Sequence, residues 1–272
     1  MISISTKEFI QLANYMRSNY GINLKMEKKY LVVGRLQNLL AEKKMNSFTD
    51  YFEYVLSDKT GQALTMLINK LTTNHTFFMR EREHFDYFRS TALPNWANSQ
   101  AISKDLRTWS AGCSTGEEPY TIAMIIADYF GDQKEKWDTR ILASDISEQA
   151  ITSAGEGIYL NEQMAVLPNK WQRNYFVKID DDRSEVVDRI KQEVIFRRCN
   201  LMSEVFPFKK KFHVIFCRNV MIYFDTPTKN ELVNKFYEAT ESGGYLFVGH
   251  AESLDRNETR YKYIIPAVYR KE

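Results

Sequence analysis

Arg107-Thr108-Trp109-Ser110-Ala111-Gly112-Cys113-Ser114-Thr115-Gly116-Glu117-Glu118-Pro119-Tyr120 runs from a hydrophobic strand through a loop of small residues into a helix. An α/β sheet holds its ligand at such a junction. The loop from Ser110 to Gly116 carries so little side-chain bulk that a ligand can lie against its backbone N–H groups. Glu117 and Glu118 follow at once, where a phosphate would normally meet only the positive end of a helix. Two carboxylates there argue against pyrophosphate. They suit a ligand that brings a ribose and a cation, and S-adenosylmethionine has both.

The stretch matches neither the G-x-G-x-x-G dinucleotide fingerprint nor the P-loop, and a tight βα turn without a ligand stays open on this segment alone. The next strand, Arg140 to Ser144, is short and apolar and ends in Asp145, where an acidic residue can accept both ribose hydroxyls. Asp145 could instead cap the helix that starts near Ser147.

The chain of 272 residues predicts a large domain, alone or with a small one. With 37 Lys and Arg against 35 acidic residues there is no global field directed at nucleic acid or a membrane, so any basic surface must be local. Three widely spaced cysteines, Cys113, Cys199 and Cys217, give neither a disulfide framework nor a metal site and fit a reducing cytosol. No export signal opens the sequence and no stretch approaches 18 apolar residues, which predicts a cytoplasmic protein without membrane insertion.

The first seventy or so residues read as short helices that need one another to cover their apolar stripes. Ser5-Thr6-Lys7-Glu8 is a capping box, and its helix stops near Gly21. A second helix, Met26 to Glu42, buries Val32, Leu36, Leu39 and Leu40 and carries Lys28, Lys29 and Arg35 largely on another side. That basic face is by default a solvated surface; its functional reading is a dock for an acidic partner. A third helix starts at Ser47 and a fourth is expected to bury Ala63, Leu64, Leu67, Ile68 and Leu71.

From Leu71 the pattern breaks into LTTNHTFFMREREHF, a linker whose Asn74, Thr76 and Arg80 can turn toward one cavity or can serve as a cap and a surface ion pair. His75 and His84 have no metal-ligand partners at useful spacing. Residues 176–198 read as a small antiparallel excursion at the ligand edge. Phe212 to Cys217 reads as a central parallel strand that delivers Arg218-Asn219-Val220-Met221-Ile222-Tyr223 to the carboxyl edge. A helix from Pro227, a buried strand at Tyr245–Val248 and a last strand at Ile264–Tyr269 complete the chain.

Taken in order, LTTNHTFFMRE, WSAGCSTGEEPYTIA, ASDIS, Asn200-Leu201, FHVIFCRNVMIYFD and GGYLFVGHAESL resemble the bacterial chemotaxis-receptor glutamate methyltransferases, the CheR family. The resemblance spans about Leu71 to Leu254, and STGEEPY together with FCRNVMIYF makes it specific. It implies an α/β methyltransferase fold, a Rossmann-like seven-stranded sheet, with a small all-α domain over residues 1–71, a linker at 72–90 that reaches the cofactor, and a methyltransferase domain at 91–272 carrying the antiparallel β insertion. The implied activity is transfer of methyl from S-adenosylmethionine to glutamates on the cytoplasmic signalling helices of chemotaxis receptors, by a monomer. Implied cofactor contacts are Asn74, Thr76 and Arg80, then Ala111, Gly112 and Glu117, then Asp145 and Ile146 at the ribose, Asn200 and Leu201 at the adenine, and Asn219 and Val220 at the methionine end. Arg80 and Tyr223 are the candidates for orienting the incoming carboxylate, and Lys28, Lys29 and Arg35 match the family's receptor-facing patch in position.

The sequence departs from the family where Phe77-Phe78-Met79 replaces an aromatic pair directly before the arginine. It departs again at the turn Ile179-Asp180-Asp181-Asp182-Arg183-Ser184-Glu185, which lacks the glycine that members tethered to a receptor C-terminal peptide carry there. The acidic turn predicts a protein that does without the tether. Two other classes stand beside this reading: a silent module binding S-adenosylhomocysteine, and a methyltransferase of nucleic acid or a small molecule, which the near-zero net charge disfavours.

Overall fold

The computed structural model describes residues 2–72, 75–100 and 102–272. The chain forms two compact units, Met1–Asn74 with Tyr223–Lys229, and His75–Ile222 with Asn230–Glu272.

In the first unit α1 (Thr6–Tyr20) begins as its sequence dictates: Ser5 Oγ accepts from Glu8 N at 3.2 Å, Glu8 Oε2 accepts from Ser5 N at 2.7 Å, and Gly21 closes the helix at φ 71°. A 3-10 turn at Met26–Lys28 leads into α2 (Lys29–Glu42), followed by α3 (Phe48–Ser57), capped by Ser47, and α4 (Gln62–Leu71). Phe9, Leu12 and Met16 of α1, Val32, Leu36, Leu39 and Leu40 of α2, Phe48, Tyr51, Phe52 and Val55 of α3, and Leu67, Ile68 and Leu71 of α4 are buried. Helices of 10 to 15 residues are marginal alone, so this shared apolar interior is what stabilises them.

The second unit opens with α5 (Arg82–Tyr87) and, after a π-helical turn, α6 (Leu93–Ser99). It continues through β1 (Thr108–Ala111), α7 (Glu117–Phe130), β2 (Ile141–Asp145), α8 (Glu148–Glu156), β3 (Ile158–Leu160), α9 (Asn161–Met164), α10 (Asn169–Tyr175), β4 (Phe176–Lys178), β5 (Arg183–Val186), α11 (Asp188–Lys191), β6 (Val194–Arg198) and β7 (Phe212–Cys217). Then come α12 (Thr226–Ala239), β8 (Thr240–Val248), β9 (Lys262–Ile265) and β10 (Val268–Arg270). Seven strands form one sheet in the order β6-β2-β1-β7-β8-β10-β9. The first five are parallel, and β10 runs antiparallel to both β8 and β9. All six residues of β7 are buried, as a central parallel strand requires. The carboxyl ends of β6, β2, β1 and β7 therefore lie side by side.

Three expectations are corrected. Val194–Arg198 is not part of the antiparallel excursion: it pairs parallel to β2, Ile141 opposite Val194 through Asp145 opposite Arg198, as the edge strand of the main sheet. The small sheet is β3-β5-β4, so its third strand comes from Ile158–Leu160, too short to show a period in sequence. The single last strand is instead the hairpin β9-β10, turned at Ala267 with φ 63°.

Candidate functional site

At the carboxyl edge the backbone of β1 bends around Gly112, whose φ is 89° and whose absent Cβ would stand 2.3 Å from Val220 Cγ2. Any side chain at residue 112 would meet both a strained backbone and the start of the β7 loop. Gly112 N and Cys113 N both donate to Ser144 O, at 2.7 and 2.9 Å, which stitches the loop to β2. Gly116, at φ 97°, packs under Tyr159, and Tyr159 Oη donates to Thr115 O at 2.7 Å. The small sheet thus supports the small-residue loop directly.

Asp145 closes the other side. Its Oδ2 accepts from Ser114 N and its Oδ1 from Ser147 N, both at 2.9 Å, so it organises the start of α8 and also fixes the loop after β1. Burial pushes its carboxyl above the ordinary range, while the N–H groups of Ser147, Ser114 and Ile146 oppose that rise. Cys199 N donates to Asp145 O at 3.0 Å, which brings Asn200 and the buried Leu201 next to this corner. Asn200 Oδ1 in turn accepts from Met202 N at 3.0 Å.

Glu117, at the first position of α7, is 2% exposed. Its Oε2 accepts from Thr115 Oγ1 at 2.7 Å, and burial raises its pKa. The Thr115 hydroxyl, its own backbone N–H and His75 offset that burial only in part, and a cationic ligand group would offset it further. Two buried or half-buried carboxylates, Glu117 and Asp145, with backbone N–H groups and small residues between them are a set that fits S-adenosylmethionine.

Sequence reasoning missed the neighbouring charge network. Arg218, with its side chain 2% exposed, donates from Nε to His84 Nδ1 at 2.9 Å, from Nη1 to Glu118 Oε2 at 2.9 Å, and from Nη2 to Glu81 Oε2 at 3.1 Å and to the carbonyl of Arg80. Glu118 also accepts from Ser110 Oγ at 2.7 Å. Asn219, at φ 58°, is held by Glu252 Oε2 on its N–H at 2.7 Å and by Glu81 Oε1 on Nδ2 at 3.2 Å. One signal was available: an arginine directly after a largely apolar central strand must find partners. Burial and Arg218 push His84 down to about 3, so it is neutral. Glu81, His84 and His250 offer ligand atoms within 4.8 Å of one another, against the expectation that His84 had no such partners. The guanidinium of Arg218 already bonds two of the three, so the cluster is built as an ion-pair network.

Arg80 lies between Met79 and Glu81, both left-handed at φ 59° and 55°, and its Nη1 donates to His75 O at 2.5 Å. Phe78 anchors this segment in the core, edge-on to Tyr159 at 4.8 Å and to Phe176 at 5.8 Å. Thr76 is half-buried, and Asn74 lies outside the described residues. Tyr223 belongs with the helical unit, where its carbonyl accepts from Asn23 N at 2.8 Å. Lys28 is exposed and Lys29 half-buried, with Tyr30 88% exposed beside them. Arg35 has a structural partner instead: its Nη1 donates to Leu71 O at 2.7 Å, satisfying a carbonyl in the last turn of α4.

A seven-stranded sheet with five parallel strands and an antiparallel pair, carrying this donor set at its carboxyl edge, defines an S-adenosylmethionine-dependent methyltransferase. Residues 74–269 match the CheR methyltransferase SAM-binding domain, and residues 7–72 match the CheR all-alpha domain. The chain belongs to the CheR family. It is 41% identical over 272 residues to a chemotaxis protein methyltransferase of Borreliella burgdorferi, covering 99% of this chain and 96% of that one. It is 33% identical to the chemotaxis protein methyltransferase of Escherichia coli, covering 98% and 92%. With chemotaxis protein methyltransferase 2 of Vibrio cholerae it shares 34% identity, covering 94% and 88%. Among the described residues no helix is long and apolar enough to cross a membrane.

Proposed function

We propose that the protein transfers methyl from S-adenosylmethionine to glutamate side-chain carboxylates on the cytoplasmic signalling helices of chemotaxis receptors, as a cytoplasmic monomer. The observation that carries the reading is the match of residues 7–72 to the CheR all-alpha domain and of residues 74–269 to the CheR SAM-binding domain. When bound, S-adenosylmethionine supplies an electrophilic methyl group on a sulfonium. Transfer to a carboxylate breaks one S–C bond and forms one O–C bond, cancels a positive and a negative charge, and moves no proton. A solvated glutamate side chain, with its ordinary pKa of about 4.3, is already ionised at neutral pH, so no general base is needed. Residues of this chain contribute positioning and exclusion of water, effects worth about 7–11 kcal/mol when alignment is good.

In this reading Glu117 and Asp145 fix the two ends of the cofactor, Asn200 and Leu201 flank its base, and Asn219 and Val220 border the reacting end. Arg80 orients the incoming carboxylate, with Tyr223 as the second candidate. Lys28 and Lys29 attract the acidic receptor helix, through a charge effect that salt weakens. The receptor is reached without a C-terminal peptide tether. In the turn between β4 and β5 the Asp180 carboxylate accepts from Asp182 N and Arg183 N and pairs with Arg183 Nη2 at 2.7 Å, while Asp181 pairs with Lys178. None of residues 179–185 has a positive φ, so this turn closes without the glycine geometry, and its acidic surface disfavours a peptide carboxylate.

The test is transfer of labelled methyl from S-adenosylmethionine to full-length and tail-deleted receptors, read as base-labile label. Base-stable label, or none, would refute carboxyl methylation. Loss of transfer on tail deletion would refute tether independence.

A further inference from the structure

We propose that Arg218 is a positioning residue for methyl transfer: by holding the Arg80–Glu81 backbone in its left-handed bend, it aims the Arg80 side chain at the incoming carboxylate. This rests on the reading of Arg80 given above.

Arg218 spends four of its five N–H donors within the protein, at least one from each nitrogen. What it binds is informative. Nη2 takes the main-chain carbonyl of Arg80 together with the Glu81 carboxylate, and Nε takes His84 on the first turn of α5. One guanidinium thus grips the peptide that carries Arg80 and the two groups that follow it. The peptide needs gripping: Met79 and Glu81, on either side of Arg80, are non-glycine residues in the left-handed region, and so is Asn219 beside Arg218. Such conformations persist only where surrounding bonds over-determine them, and three converge here. The Arg80 side chain, by contrast, has a carbonyl of its own segment, His75 O, as its partner, so its direction follows its backbone.

The third arm gives the device its reach. Nη1 binds Glu118, which accepts from Ser110 on β1 and is the immediate neighbour of Glu117. Arg218 therefore ties the loop that would hold the cofactor to the segment that would hold the substrate. The planar fork of arginine can serve these divergent acceptors at once, whereas the three donors of a lysine leave one atom.

The experiment uses the full-length protein and its R218K variant, which keeps the buried positive charge opposite two carboxylates. Folding is read by calorimetric melting and S-adenosylhomocysteine affinity by titration. Methyl transfer to a receptor cytoplasmic fragment then gives kcat and KM for wild type, R218K, R80A and the double variant. The expected result is a kcat at least tenfold lower in R218K, cofactor affinity within a few-fold of wild type, and no further loss when R80A is added. Full kcat in R218K, or losses that multiply in the double variant as for independent structural damage, would overturn the proposal. If R218K does not fold, E81A removes one arm of the same grip and is expected to show the same coupling to R80A. Hydrogen exchange of residues 78–84 separates this proposal from the function on which it rests. Faster exchange there in R218K, with that of α8 unchanged, is expected even if the wild type methylates no receptor, an outcome that would refute the receptor reading alone; unchanged exchange would refute the grip whatever the activity.

Discussion

Replacing Glu117 by glutamine separates what this residue does for the fold from what it does for the ligand. The side chain is 2% exposed, its Oε2 accepts from Thr115 Oγ1 at 2.7 Å, and it is Glu118, the next residue, that pairs with the guanidinium of Arg218. A glutamine at this position would keep the size and the hydroxyl bond but lose the charge. If Glu117 receives the ammonium of the cofactor, a hydrogen bond between charged groups is lost, about 1.5–3 kcal/mol, or roughly 10- to 150-fold in affinity. The pH dependence has a definite sign. Burial raises the Glu117 pKa in the free protein, and a cationic ligand needs the carboxylate, so wild-type binding releases a proton and weakens as pH falls through that raised value. E117Q should show none of that dependence. The stability effect runs the other way: a carboxyl whose folded pKa lies above its unfolded one stabilises the fold at low pH, and that contribution is lost as pH rises through the folded pKa. Unliganded E117Q should therefore melt higher than wild type at neutral pH, by about 2–4 °C for each kcal/mol recovered in a domain of roughly 150–250 residues. Titration calorimetry with S-adenosylhomocysteine as a function of pH and scanning calorimetry without ligand read both effects. Unchanged affinity, or a lower melting temperature together with lower affinity, would refute the reasoning.

Asp145→Asn should weaken S-adenosylhomocysteine by about 1.5–3 kcal/mol if its carboxylate accepts the ribose hydroxyls; equal affinity by calorimetry would leave it only the backbone bonds to Ser114 and Ser147. Changing Lys28 and Lys29 to Glu should lower receptor methylation and its salt sensitivity while cofactor affinity stays constant, and full turnover would return them to ordinary surface. Arg35→Ala should instead destabilise the helical unit by about 1–3 kcal/mol in a denaturant melt, because the Leu71 carbonyl loses its donor. Gly112→Ala forces a Cβ to 2.3 Å from Val220 Cγ2 at a φ of 89°, so both melting temperature and cofactor affinity should fall, and a variant of wild-type stability would refute the packing argument.

Features specified within one segment were legible in the chain. The capping box at Ser5 and Glu8, the buried stripe of α2 and the largely apolar run of β7 each follow from local side-chain order and periodicity. So does the small-residue loop from Ser110 to Gly116, because a tight βα turn needs those residues whatever surrounds it. Asp145 was legible as a choice between ribose and cap, and the structure gives its oxygens to Ser114 N and Ser147 N without excluding the first role. The pairings came only with the folded chain. Val194–Arg198 reads in sequence as the end of the antiparallel excursion, yet becomes the parallel edge of the main sheet, since register beside β2 depends on chain more than 50 residues away. Arg35 looks like a member of a basic face until the end of α4 arrives next to it. Arg218 reads as one charged residue after a strand, and its partners Glu118, His84, Glu81 and Arg80 lie 100 to 138 residues off in sequence. Burial at that depth makes the four bonds obligatory, and only the folding of the sheet brings the acceptors to the guanidinium.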